Sequence, residues 1–375
     1  MTEGTDMESG WRKLGDELGP AKVVLIRQPE MDLEAIVVVD NIACGPAIGG
    51  VRMAADVTIE EVARLARAMT YKNAAAGLPH GGGKAGIIGD PKMPVAAKQQ
   101  AVRAFGRAIR DLAEYIPGPD MGTDEMCMAY VHDEIGRAVG LPGVLGGIPL
   151  DTIGATGFGL AVCAEVAQEF TGIAIKGARV VVQGFGAVGR HAARFLSERG
   201  AVLVAAADSG GAVVNPKGLD LPALLAWKAA HASVREFSGG HPLPLEELVI
   251  VDCEIWIPAA RPDVLDANNA GQLRAKLVLQ GANIPATPEA ETILHGAGVL
   301  SVPDFIANAG GVICAAVEYH GGTQAQAFAV IQEKIAANTR AVLQQVRERQ
   351  ILPRAAAIDL ARARVKEAAG YRRGV

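Results

Sequence analysis

The sequence predicts an α/β protein built of two domains, the second of them a doubly wound parallel sheet. Three observations carry this. At 375 residues the chain is long enough for two cores. Short β-rich runs alternate with helical patterns along most of it. Residues 178–208 also spell out strand, Gly184-Phe185-Gly186-Ala187-Val188-Gly189, helix, strand and a closing Asp208, the order of a Rossmann-type dinucleotide-binding unit.

The first half opens on β-rich runs at 21–27, 34–40 and about 47–53, with turn signals between them. Thr58 followed by Glu61 is a capping box, so a helix starts there; Val62, Leu65, Met69 and Lys72 recur along one face of it, and Gly77 is the expected stop. Lys72 therefore falls on an apolar stripe. Either it meets an anion or a partner charge, or its stem packs and its ammonium snorkels to the edge. Just beyond, glycines 81 to 83 precede Lys84, and Ala85-Gly86-Ile87-Ile88 reads as a short buried strand. Glycines there let a backbone or a ligand approach closely. A lysine at such a junction, near a second cation, has a lowered pKa and is a candidate base or nucleophile. The alternative is a glycine-rich turn followed by an ordinary lysine. A helical pattern over 94–114 comes next. Asp120 lies in a loop among prolines and glycines, as a turn residue or a functional carboxylate, and Thr123 with Asp124 and Glu125 starts a helix to about 139.

The Gly- and Pro-rich segment 140–157 marks a domain boundary, and a helix spans about 152–170. In the fingerprint that follows, the glycines permit a tight turn and bring a pyrophosphate to a helix N-terminus, unless this is a glycine-rich turn without a cofactor. Asp208 accepts from ribose hydroxyls and repels a 2′-phosphate, so the expected cofactor is NAD rather than NADP. Further strands fall near 254–258, 276–280 and 299–301. Asn283 and Asn308 each follow a strand pattern, where such sheets bind ligands, or else they cap helices. From 323 the chain is helical, broken at Pro353.

Composition narrows the classes. Half the residues are hydrophobic and 21% are charged, which fits a large globular core. A net charge of -5 gives no footprint for nucleic acid. No apolar run approaches the roughly 18 residues that cross a bilayer. The opening MTEGTDMESGWRK is acidic and polar and does not read as a secretory signal. Cysteines 44, 127, 163, 253 and 314 are scattered and lack metal-type spacing, so no disulfide framework, no metal and a cytoplasmic location are expected.

Four stretches carry a resemblance: GPAIGGVRM (45–53), MTYKNAAAGLPHGGGKAGIIGDP (69–91), GPDMGT (118–123) and PDFIANAGGVI (303–313). In this order, and across roughly residues 20 to 320, the chain resembles the amino acid dehydrogenases that act on glutamate, leucine, phenylalanine and valine. The resemblance implies a substrate domain over 1–145, an NAD-binding Rossmann domain over 146–334, and C-terminal helices, about 335–375, returning to the first. It implies that Lys72 binds the substrate α-carboxylate, that Lys84 activates water for attack on the imino acid, and that Asp120 moves protons to and from the amino nitrogen. Thr156 and Asn308 are placed near the nicotinamide, and Ser209, Ala259, Ala260 and Asn283 join the fingerprint at the cofactor. A homo-oligomer handling an amino acid, its 2-oxo acid and ammonia is expected.

The same resemblance bears on the substrate. Glutamate enzymes of this kind carry a lysine just before the pair that here is Gly49-Gly50; this chain has Ile48, which leaves a second carboxylate unpaired. Around the substrate site the chain is thus closer to the leucine and phenylalanine branch. Ile48, Gly118, Val312 and Ala315 are expected to line an apolar pocket, with the small residues leaving room for bulky groups. The expected activity is NAD-dependent oxidative deamination of an apolar L-amino acid, and its reversal. The alternatives are glutamate dehydrogenase, with Arg52 meeting the side-chain carboxylate, and a nucleotide-binding regulator on the same fold.

Overall fold

The computed structural model describes residues 14–372; the stretch on which the reading of the N-terminus rests lies outside them. The chain divides into two compact units. The first holds the described residues to Pro149 with Ala315–Gln326 and the residues from Ala361; the second holds Leu150–Cys314 and Ala327–Leu360.

The first unit is a five-stranded mixed sheet in the order β1-β2-β4-β3-β5. Its strands are β1 (Lys22–Gln28), β2 (Leu33–Asn41), β3 (Ala47–Ala54), β4 (Gly81–Ile88) and β5 (Tyr115–Pro119). β3 runs parallel to β4 and β5, whereas β2 is antiparallel to both β1 and β4. Helix α1 (Ile59–Ala75) covers one face, burying Val62, Ala63 and Ala66 against Ile36, Val38 and Val57. Helices α2 (Val95–Ala108) and α3 (Glu125–Ile135) cover the other, where Phe105, Met128 and Val131 meet Val37, Val39, Met53 and Ile87. Strand alternation sorts these side chains to opposite faces.

Thr58 caps α1 as the spacing predicts, its hydroxyl accepting from the Glu61 amide at 3.2 Å. Three local expectations need correction. Glycines 81 to 83 do not form a turn; they are the first residues of β4. Their purpose is close packing. A Cβ on Gly81 would lie 1.8 Å from the Asn41 carbonyl oxygen, and one on Gly82 would lie 2.0 Å from the Thr70 amide of α1. Second, the proline- and glycine-rich residues ahead of the Asp120 loop form a strand, Tyr115–Pro119, which the sequence reading does not announce; it sits at the sheet edge, where its two prolines forfeit no ladder bond that an interior strand would need. Third, Asp124 rather than Thr123 caps α3, accepting from the Cys127 amide at 2.9 Å, and α3 stops at Gly136 in the left-handed region.

The second unit contains a seven-stranded sheet, β12-β11-β10-β6-β7-β8-β9. The strands are β6 (Arg179–Gln183), β7 (Val202–Asp208), β8 (Gly211–Val214), β9 (His241–Leu243), β10 (Ile255–Pro258), β11 (Leu277–Leu279) and β12 (Leu300–Val302). From β12 to β7 it is parallel; β8 and β9 add an antiparallel edge that the strand pattern does not announce. The remaining helices are α4 (Leu150–Ile153), α5 (Ala155–Thr171), α6 (Ala187–Glu198), α7 (Leu221–Ala230), α8 (Pro288–Gly296), α9 (Asp304–Ala307), α10 (Gly310–Tyr319), α11 (Gln324–Arg349) and α12 (Pro353–Ala369), and the division between units falls within the last three. The expected helix over 152–170 is interrupted at Gly154, whose φ of +79° ends α4 before α5 begins. The C-terminal helices also divide differently from the expectation: residues 327–360 pack with the second unit, and only the chain from Ala361 packs with the first.

One ionic knot holds the far side of this sheet. The Arg354 guanidinium, from α12, meets Glu291 at 2.7 Å, Asp304 at 3.0 Å and the Gln280 side-chain oxygen at 2.9 Å. Both carboxylates are only 6% exposed. Replacing Arg354 with methionine would strand two buried charges, and should lower unfolding stability by about 3–5 kcal/mol in denaturant titrations. A loss below about 1 kcal/mol would mean that water already compensates these carboxylates.

Candidate active site and dinucleotide site

In the first unit, chemistry gathers on the α1 face of the sheet. Lys84 lies in β4, opposite Val38 of β2, and is 5% exposed. Its ammonium nitrogen is 3.0 Å from Oδ2 of Asp120, which follows β5. Arg52 of β3 donates from Nε to the same oxygen at 3.0 Å, and its other arm pairs with Glu61 of α1. One carboxylate oxygen thus takes two cations. Burial is the largest influence on Lys84 and pulls its pKa below the usual lysine value; Asp120 opposes this, and Arg52 adds to the lowering. Arg52 is thus a cation acting on Lys84 that the sequence reading, with its second lysine at 72, does not count. The signal for it was present: Ile48, Gly50 and Arg52 alternate along β3, so all three share a face.

Gly50 shows how tightly the site is drawn. A Cβ there would sit 2.7 Å from Cβ of Asp120 and 3.2 Å from the Lys84 ammonium. Gly49, on the opposite face, would collide with the Gly83 carbonyl oxygen at 1.6 Å, and its own carbonyl accepts from the Tyr115 hydroxyl at 2.8 Å. Gly49 is therefore a packing residue. Gly50→Ala should push Asp120 and Lys84 apart and lower kcat roughly hundredfold with the fold intact, since ångström misplacements cost about that much. Activity within a few-fold of the parent, at an unchanged melting temperature, would show that the space is not part of the site.

Ile48 is buried at 3% exposure on this face, and Lys72 sits half-buried on the last turn of the helix that covers it. The neighbouring Asn73, fully buried, was not singled out from sequence; its amide donates to the Gly81 carbonyl at 2.6 Å, pinning α1 to the start of β4. The expected room beside Gly118 is filled, because a Cβ there would meet Val139 at 2.9 Å. Ala315 packs with the first unit and Val312 with the second.

In the second unit the C-terminal ends of β6, β10 and β11 converge. The Gly184 and Phe185 amides donate to the Ala207 carbonyl, the Ala259 amide to Gln183, and the Gly281 and Ala282 amides to Pro258. Each fingerprint glycine has its own reason. Gly184 has a φ of +99°, and a Cβ on it would lie 2.6 Å from the Ala259–Ala260 peptide. A Cβ on Gly189 would lie 2.0 Å from the Gly184 carbonyl oxygen, whereas Gly186 faces open space at the uncapped start of α6. The amides at the start of that helix, those of Ala187 and Val188, have no intrahelical acceptor. Phe185 departs from expectation: its ring is core, 1% exposed, so only its backbone borders the turn.

Asn308 donates to the Gly281 and Ala282 carbonyls and to the Asn283 side chain, at 3.1 to 3.3 Å. Its own side-chain oxygen is buried without a partner, as is that of Gln183 at the end of β6. Thr156 lies beside Gly311, three residues on from Asn308, its hydroxyl 3.1 Å from where a Cβ on Gly311 would be. An open helix start, a glycine cradle and orphaned amide oxygens fit a nicotinamide dinucleotide.

Asp208 is the exception. Its Oδ1 accepts from Ser233 Oγ and the Gly210 amide, both at 2.9 Å, and its Oδ2 from Lys228 at 2.7 Å and the Val234 amide at 2.8 Å. Burial raises its pKa, but these donors outweigh it and hold the carboxyl below the usual range. A carboxylate with both oxygens doubly engaged has no lone pair left for ribose. The basis on which the sequence pointed to NAD alone is therefore missing. Among the described residues no group of three or more His, Cys, Asp or Glu could hold a metal ion, and no helix is long and apolar enough to cross a membrane.

A buried amine against a carboxylate in one unit and a dinucleotide cradle in the other fit the class of dinucleotide-dependent dehydrogenases. Family models agree and narrow it. Residues 20–137 match the Glu/Leu/Phe/Val dehydrogenase dimerisation domain and residues 146–373 match Glutamate/Leucine/Phenylalanine/Valine dehydrogenase, so the chain belongs to that amino acid dehydrogenase family. It is 41% identical to a glutamate dehydrogenase of Thermotoga maritima over 292 residues, covering 74% of this chain and 70% of that one. A leucine-bound, hetero-hexameric glutamate dehydrogenase from Thermus thermophilus superposes with a TM-score of 0.80 at 32% identity, over 93% of this chain and 89% of that one. The L-tryptophan dehydrogenase of Nostoc punctiforme does so at 0.75 and 25% identity, over 97% and 99%.

Proposed function

We propose that the protein catalyses reversible oxidative deamination of an L-amino acid with an apolar side chain, branched or aromatic, using a nicotinamide dinucleotide. Ile48 carries the substrate class: it is buried on the face that bears Lys84. Arg52, the residue that could answer a side-chain carboxylate, is already engaged by Asp120 and Glu61. The 41% identity to the Thermotoga maritima enzyme favours glutamate as the second reading. The first unit, the described residues to Pro149 with 315–326 and the chain from Ala361, serves as the substrate domain, and the second, Leu150–Cys314 with Ala327–Leu360, as the dinucleotide domain. The protein works as a homo-oligomer in the cytoplasm, and the match of residues 20–137 to a dimerisation domain supports the assembly.

When bound, the dinucleotide supplies the acceptor for the hydride leaving the substrate Cα. The chain does the rest. The half-buried Lys72 holds the α-carboxylate. Lys84, whose pKa burial draws below the usual lysine value, takes a proton from water as that water adds to the imino carbon. Asp120 hands a proton to the departing nitrogen and stays oriented by Arg52. Gly186 and the open start of α6 would hold the pyrophosphate, and Asn308, Asn283 and Thr156 would hold the nicotinamide end. Ammonia-dependent oxidation of reduced dinucleotide against a panel of 2-oxo acids tests the whole reading: 4-methyl-2-oxopentanoate or phenylpyruvate should lead. Leadership by 2-oxoglutarate would transfer the assignment to the glutamate reading, and no turnover with any of them would favour a binding protein.

A further inference from the structure

We propose that the adenosine end of the dinucleotide site accepts a 2′-phosphate, with Lys228 and Arg235 as its ligands, so that NADP(H) binds at least as well as NAD(H). This rests on the dinucleotide reading of the fingerprint and specifies which dinucleotide. An acidic residue closing the second strand rejects a 2′-phosphate only while its charge is uncompensated, and grips a ribose only while it has lone pairs to offer. Asp208 meets neither condition. Lys228, from the last turn of α7, lies 2.7 Å from Oδ2, and three further donors occupy the remaining positions. The side chain of Asp208 is 9% exposed, so the carboxylate is withdrawn as well as neutralised.

What remains on the surface of that turn is donor chemistry. Lys228 spends one N–H on Asp208 and one on the Ala232 carbonyl, which leaves its third. Ser209, at the tip of the turn between β7 and β8, is exposed. The stem of Arg235 lies against Gly211, where a Cβ would be 2.7 Å from Arg235 Cδ, and this places a second cation beside residues 208–211. The Arg235 amide donates to Ser233 Oγ, so the segment that carries this cation is tied to the hydroxyl that engages Asp208. With Lys228 set against Asp208, the turn keeps one net positive charge, that of Arg235, together with the third Lys228 N–H and the Ser209 hydroxyl; a phosphate dianion suits these donors, and a bare ribose gains little from them.

Calorimetric titration of the intact protein with 2′,5′-ADP and with 5′-AMP isolates this end of the site from any turnover. Tighter binding of 2′,5′-ADP, with a steep loss on adding salt, is expected. NADPH fluorescence should report a Kd no weaker than that for NADH. Lys228→Met should weaken NADPH at least tenfold while leaving NADH unchanged or tighter, because Asp208 regains lone pairs for ribose. Arg235→Gln, at an exposed position that does not threaten folding, should weaken NADPH several-fold. NADH binding tenfold tighter than NADPH in the parent protein, or an unchanged ratio in both variants, overturns the inference and leaves the dehydrogenase reading standing. Failure to bind either dinucleotide overturns both.

Discussion

Lys84→Met is expected to abolish turnover while the reduced dinucleotide still binds. Methionine nearly matches the lysine stem in length and volume, so the position between β2 and β3 stays filled. Asp120 keeps its bond from Arg52, at 3.0 Å, and is not left as an unpaired charge. What disappears is the amine whose pKa burial has brought down. General acid–base groups contribute about 10²–10⁴ in rate, so kcat should fall about a thousandfold, some 4 kcal/mol of barrier. Steady-state kinetics with a matched Kd for the dinucleotide decides it. A variant keeping more than about a tenth of kcat, under 1.4 kcal/mol of barrier, would show that Lys84 only packs.

How much of this was legible in the sequence depends on how local the signal was. The N-cap at Thr58 and the fingerprint at 184–189 are short-range patterns and both stand where the sequence puts them, although the Glu61 side chain pairs with Arg52 rather than closing the box. The errors share one cause, tertiary contact overriding a local rule. Three consecutive glycines read as a turn, yet here they are strand because α1 and β2 press on them to within a Cβ's reach. Two prolines argue against a strand, yet β5 tolerates them at a sheet edge. The site shows the same division. Lys84 and Asp120 carry motifs and were singled out, and the structure places their charged ends 3.0 Å apart. Arg52 stands in the stretch 45–53, but nothing local pairs it with Asp120, because its grip spans a separation of 68 residues. Asp208 fails in the opposite direction: its position in the pattern is right, but Lys228, Ser233 and Val234, which consume its lone pairs, arrive from 20 to 26 residues further on.

The other large effect concerns the substrate, and Ile48→Lys should reverse it. In the parent protein an apolar 2-oxo acid gains from burial at roughly 0.8 kcal/mol per methylene. A dicarboxylate must instead desolvate a carboxylate facing Ile48, which offers no hydrogen bond and is 3% exposed. Arg52 already commits its Nε to Asp120 and one terminal nitrogen to Glu61, so its charge is shared between two carboxylates before a substrate arrives. Together these should separate 4-methyl-2-oxopentanoate or phenylpyruvate from 2-oxoglutarate by on the order of a hundredfold in kcat/KM, about 2.7 kcal/mol. A lysine at 48 would extend from β3 on the face that carries Gly50 and Lys84, supplying the missing cation at the cost of apolar surface. The variant should lose at least tenfold on the apolar acids, on the scale of a lost apolar contact at ~1–3 kcal/mol, and gain on 2-oxoglutarate. Gly118 does not enlarge the space, because Val139 occupies the position its side chain would take, so the aromatic acid should hold no advantage over the branched one from that quarter. Kinetics of both proteins on the three acids checks this directly. If the parent already prefers 2-oxoglutarate, or the lysine leaves the order of substrates unchanged, Ile48 does not face the side chain and the glutamate reading takes over.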